Sequence, residues 1–102
     1  MKTAFSIYMD YKNAMQQAEA LDRAAADIRS ELSSLHEAKE DIRSSWSGEP
    51  AEEYIRRISV TESDLRKLAE SVSKAAGTTR RIAIITYEAE QRAIELASAR
   101  TY

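Results

Sequence analysis

The sequence predicts an all-α fold, an antiparallel helical hairpin, and three observations carry that prediction. Apolar residues recur at intervals of three and four along almost the whole chain, which is helical spacing. The recurrence breaks once, near the middle, at Trp46-Ser47-Gly48, which holds the only tryptophan and one of two glycines, with the only proline, Pro50, just beyond. The composition is 43% hydrophobic and 31% charged, with seventeen alanines among 102 residues, a balance that suits long helices rather than a sheet.

The first helix is expected over about residues 4–45. Stepping back from Trp46 by alternating four and three gives Ile42, Lys39, Leu35, Leu32, Ile28, Ala25, Leu21, Ala18, Ala14, Tyr11, Ile7 and Ala4. Only Lys39 breaks this seam, and a 3.5-residue period held for about six repeats is the pattern of coiled-coil packing. Lys39 leaves two readings open: a stem lying along the apolar groove with its amine in water, or a polar residue that fixes register or partner choice. His36, the only histidine, has no second histidine or cysteine to share a metal, so a solvated or seam-edge role is expected.

The turn is expected over residues 46–50. Gly48 can take the positive φ that a helix end or tight turn requires, and Pro50 suits the first turn of a following helix, where its missing N–H costs nothing. Glu52 and Glu53 then sit at the positive end of that helix's dipole. Trp46 reads either as a plug sealing the end of the hairpin or as an aromatic presented for recognition.

The second helix is expected over about residues 51–98. Ala51, Ile55 and Ile58 begin its stripe, which resumes at Leu65, Leu68, Val72, Ala75, Thr79, Ile82, Thr86, Ala89, Ala93 and Leu96. Arms of this length would each run on the order of 60–70 Å and match one another. Gly77, followed by Thr78 and Thr79, interrupts good helix-forming sequence and reads as a kink, a close approach of a partner helix, or a tolerated weak spot. Met15, Ile84, Ile85, Tyr87 and Ile94 lie off the stripes. A lone hairpin cannot cover them, so it is expected to pair as a dimer into a four-helix bundle, with itself or with a similar hairpin.

One domain is the most that 102 residues allow. The formal net charge of −2 arises from 15 basic and 17 acidic residues mixed along the chain, with no basic stripe to suggest nucleic acid. A membrane-active helix is disfavoured by polar faces carrying both signs of charge. No apolar run approaches a membrane span, and the N-terminal residues lack a signal-peptide core, so any secretion is expected to proceed without a cleaved leader. Cysteine is absent. No nucleophile–base constellation, phosphate loop or metal-spaced cluster is present, so neither an enzyme nor a cofactor is expected.

The length, the hairpin pattern and the stretch Trp46-Ser47-Gly48-Glu49-Pro50-Ala51-Glu52-Glu53-Tyr54 resemble the WXG100 family, the early-secreted-antigen-like substrates of type VII secretion. The likeness covers the whole chain in architecture, and Ala51 and Tyr54 fit the small-then-aromatic pattern that follows the family's turn. It implies a dimeric four-helix bundle made in the cytoplasm and secreted to the cell surface or medium without a cleavable signal peptide. It also implies a type VII secretion ATPase as partner, and co-export with a larger effector. Virulence and bacterial competition are among the roles such secretion would serve.

The export signal implied is composite, with Trp46 and Gly48 as the turn half, lying beside a C-terminal tyrosine–acid motif of the partner. Tyr87 is the matching tyrosine, with Glu88 and Glu90 nearby, although the fourth residue after it is Gln91 rather than an acid. A slid register would pair Ile84 with Glu88 or Thr86 with Glu90. The rival reading is a cytoplasmic adaptor or chaperone that brings a helical toxin or effector to the secretion machine and stays behind.

Overall fold

The structure, a computed structural model, describes residues 2–100. It is all-α: α1 spans Ala4–Ser45 and α2 spans Glu49–Ala99, the two arms of an antiparallel helical hairpin. The second arm is the longer, at 51 residues against 42, so the arms do not match in length as expected. Contacts divide the chain into two compact units, Asp22–Ser73 with the turn, and the residues up to Leu21 together with those from Lys74 onward.

The helix ends follow from local chemistry. At the start of α1, the Thr3 backbone N–H donates to Ser6 Oγ and the Ser6 N–H donates to Thr3 Oγ1, both at 3.0 Å. This reciprocal pair satisfies two donors that have no partner inside the helix. At the other end, the Ser44 and Ser45 hydroxyls donate to the Asp41 carbonyl, and the Trp46 N–H still donates to Ile42 O at 2.9 Å. Gly48 then reverses the chain at a φ of +102°, where only glycine is unstrained. Its carbonyl accepts from the Glu52 N–H at 3.1 Å, so α2 begins immediately, with Pro50 in its first turn. Acidic Glu49 and Glu52 face the positive end of the dipole there.

In the Asp22–Ser73 unit the inward face of α1 follows the expected seam. Ala25 is buried, and Ile28, Leu32, Leu35, Lys39 and Ile42 are partly buried. On α2 the inward positions are Ala51, Ile55, Ile58, Glu62, Leu65, Ala69 and Val72. Leu68, expected on the seam, is instead 49% exposed and Ala69 takes its place. The reason is Glu62. A charged residue occupies an inward position, and the alternation of four and three runs straight through it. In the other unit the inward set is Ile7, Tyr11, Ala14, Ala18 and Leu21 on α1, and Ala76, Ala83, Tyr87, Glu90, Ile94 and Ala97 on α2. Ile82, also expected inward, is 58% exposed, with Ala83 buried beside it.

Between Ala76 and Ala83 both Thr79 and Arg80 are partly buried, so an extra step enters the alternation there, a stutter of the kind that locally unwinds coiled-coil packing. Gly77 lies in the same stretch, where the helix runs on without interruption and a Cβ would meet nothing within 4 Å.

The buried apolar residues are mostly alanine: Ala18, Ala25, Ala51, Ala69, Ala76 and Ala83, with Ile7 and Ile58. Among the described residues no large side chain is fully buried. Small seam residues let helices approach closely but remove little apolar area from water, and the stabilisation scales with that area.

Candidate functional site

Within the Asp22–Ser73 unit the turn builds a small, well-defined surface. Trp46 closes α1 through its backbone hydrogen bond to Ile42, and its indole lies against the Tyr54 ring, with centroids 6.4 Å apart at 56°. Tyr54 comes from the second turn of α2, and Ala51, one turn before it, is buried under the bend. Even so, Trp46 remains 50% exposed and Tyr54 52%. The indole is therefore held on one side and open to water on the other. A shallow groove beside it is lined by Arg43, Trp46, Gly48, Ala51, Glu52 and Ile55. Farther along the surface, Glu53 receives Arg56 at 2.7 Å and Arg57 at 3.2 Å. These charges satisfy one another in solvent.

Tyr87, Glu88 and Glu90 belong to the other unit. Tyr87 is partly buried, stacked on Tyr11 with ring centroids 4.8 Å apart at 32°, and its hydroxyl accepts from Gln91 Nε2 at 3.1 Å. Gln91, which stands where an acid was sought, thus serves the tyrosine as a donor. Glu90 turns toward α1, where Lys2 Nζ bridges it at 3.2 Å to Asp10 at 3.1 Å. The hydrogen bond to Asp10, then that to Glu90, raises the Lys2 amine above its ordinary value. Glu88 alone of the two acids faces solvent. A groove runs past the paired tyrosines, bounded by Ile7, Ala14, Ile82, Ala83 and Thr86. The Tyr11–Tyr87 stack could have been suspected, since Tyr11 lies on the first seam and Tyr87 had already been singled out.

The third cluster was missed on one side. Lys39 Nζ donates to Glu62 Oε1 at 2.5 Å, and His36 Nδ1 lies 3.2 Å from Glu62 Oε2. The Lys39 side chain is 13% exposed and that of Glu62 7%, so the amine is not in water but bonded to an acid of the same chain. The Lys39 hydrogen bond, reinforced by His36 and by the charge on Lys39, holds the Glu62 carboxyl below its ordinary range against the burial that pushes it up. His36 sits at the seam edge, its Nε2 4.0 Å from Glu40.

Of the remaining expected seam residues, Leu21, Ile28, Leu32, Leu35, Ile42, Ile55, Leu65 and Val72 are partly buried and Ile58 is buried. Among the described residues no group of three or more possible ligands is placed to hold a metal ion, and no helix is long and apolar enough to cross a membrane. Neither a protein-family model, nor a curated protein, nor a solved structure matches this chain.

Proposed function

We propose that this chain is a WXG100-like substrate of a type VII secretion system, acting through protein–protein contacts rather than catalysis. In this reading the turn is the surface that the export ATPase recognises. The observation that carries it is Trp46, the largest apolar side chain in the sequence, held by its backbone bond and the Tyr54 ring yet half open to water. A pre-ordered aromatic with one free face loses little entropy on binding, which is how such residues come to dominate recognition. Tyr87 and the solvent-facing Glu88 would supply the C-terminal half of the signal. Exposed apolar residues at Phe5, Ile82, Ile85 and Leu96 favour pairing with another helical hairpin, as a dimer or with a larger co-exported effector.

The test is secretion by a competent strain. Trp46→Ala is expected to leave the purified chain helical by circular dichroism while the protein disappears from the culture supernatant. Normal export of a folded Trp46→Ala chain would defeat the proposal. The same exposed apolar residues suit a second reading, a cytoplasmic adaptor for a helical client. That reading requires the parent protein to stay out of the supernatant when cells are intact.

A further inference from the structure

The groove past the paired tyrosines has a cavity volume of about 300 Å³ and is lined only by residues of the unit that joins the two chain ends. Its floor is apolar, with Ile7 3% exposed and Ala83 7%. Tyr11 and Tyr87 line its middle, and Ile82 stands at its edge, 58% exposed. Charge is confined to one end. There Asp10 and Glu90 converge, close enough that a single ammonium, Lys2 Nζ, reaches both, at 3.1 and 3.2 Å. Toward the other end the Thr79 hydroxyl is committed to the Ala75 carbonyl of its own helix, at 2.8 Å.

We propose that this groove binds a small amphipathic amine. Its apolar body lies over Ile7, Ala83 and the tyrosine rings, and its ammonium takes the place that Lys2 occupies between Asp10 and Glu90.

A concave, largely apolar surface with a few convergent polar groups is the usual form of a small-molecule site. The sign of the ligand follows from the charges. Two carboxylates against one ammonium leave one negative charge unmatched at the end of the groove, and the faces of two tyrosine rings also attract a cation. Lys2 demonstrates that an ammonium fits between the two acids. The same acids raise its amine above the ordinary value, and they would hold a ligand's amine in its charged form likewise. Lys2 precedes α1, and its side chain is 56% exposed, so displacing it breaks only a surface ion pair, which is weak. A ligand with an apolar body gains what Lys2 does not, the removal of the groove's apolar lining from water. Glu88 faces solvent, and Tyr87 also lines a smaller groove with Gln91 and Ile94, so a bound amine leaves both available to the proposed export signal.

The test follows the tyrosine ring resonances of the full chain by NMR during titration with tryptamine. The control is indole-3-propionate, which has the same ring and the opposite charge. Tryptamine is expected to shift Tyr11 and Tyr87 with a Kd on the order of 1 mM, leaving Tyr54 at the turn unmoved, and the acid is expected to shift neither. Glu90→Gln and Asp10→Asn should each weaken tryptamine about fivefold. Lys2→Ala removes the competing amine and should tighten tryptamine about threefold; a lysine that merely held the groove in shape would give the opposite sign. Circular dichroism checks that each variant is helical. Equal binding of the two probes, equal movement of Tyr54, no shift by about 10 mM tryptamine, or weaker binding by a folded Lys2→Ala chain would each overturn the proposal. Secretion is a separate readout, since the groove shares no residue with the turn: normal export of Trp46→Ala would leave amine binding as assigned.

Discussion

Replacing Lys39 by methionine is the most informative single perturbation of this fold. Glu62 is 5% exposed, and its carboxylate is satisfied by Lys39 at 2.5 Å and His36 at 3.2 Å. Lys39→Met removes the stronger partner and leaves a buried carboxylate with only His36 beside it. Losing a charged hydrogen bond costs about 1.5–3 kcal/mol, and breaking a fully buried ion pair costs ~3–5 kcal/mol. The His36 side chain is 57% exposed and lets water approach, so the expected loss lies at about 2–3 kcal/mol. That is a large part of the ~5–15 kcal/mol typical of a domain this size. Glu62→Met is expected to cost a similar amount by stranding the amine. The double variant removes both charges and leaves two flexible apolar side chains in the seam, so it should fall within about 1 kcal/mol of the parent or exceed it. The cycle is measured by urea denaturation followed by far-UV circular dichroism, at one fixed protein concentration because association adds to apparent stability. A Lys39→Met chain within about 0.5 kcal/mol of the parent would refute the reasoning, since a change that small is what a solvated surface lysine gives.

The remaining predictions are quicker to check. Because the Glu62 carboxyl is held below its ordinary value of 4.5, its contribution is complete above that value and is lost as pH falls through the lowered one; the parent should therefore lose stability on acidification below about pH 4.5 more steeply than the Lys39→Met/Glu62→Met double variant. Gly77→Ala should raise stability by about 1 kcal/mol, seen as a higher melting temperature, since the helix is continuous there and a Cβ meets nothing within 4 Å. Gly48→Ala should do the reverse, costing about 1–2 kcal/mol, because the obstacle is a φ of +102° rather than lack of room.

What the sequence made legible, and what it hid, divides at a single residue. The first arm could be read from end to end because its inward positions are apolar except for Lys39, and an isolated lysine does not disturb a 3.5-residue count. The bend was equally plain, since Gly48 and Pro50 each have a physical reason to stand where they do. On the second arm the count was lost at Glu62, because a glutamate looks like a surface residue when its helix is scanned alone. Skipping it left the order of three- and four-residue steps open, so Leu65 and Val72 stayed in phase while the steps between and beyond them fell on Leu68 and Ile82, which looked like core because they are large. The true inward positions are alanines, which carry almost no signal of burial. The tyrosine half of the candidate signal suffered from the same loss of phase: Tyr87 is inward and stacked, Glu90 is tied to Lys2, and neither follows from spacing to an acid. A usable signal did exist. Reflecting the first seam through the turn maps Lys39 onto Glu62, one cation onto one anion, and maps Leu32 onto Ala69. A seam of alanine and partly buried aliphatics discriminates poorly between registers, because each slipped pairing sets similar surfaces together. A lone inward lysine facing a lone inward glutamate discriminates strongly, since any slip strands both charges. The residue that obscured the pattern, Glu62, is thus one of the two that fix the register of the turn-bearing half of the hairpin.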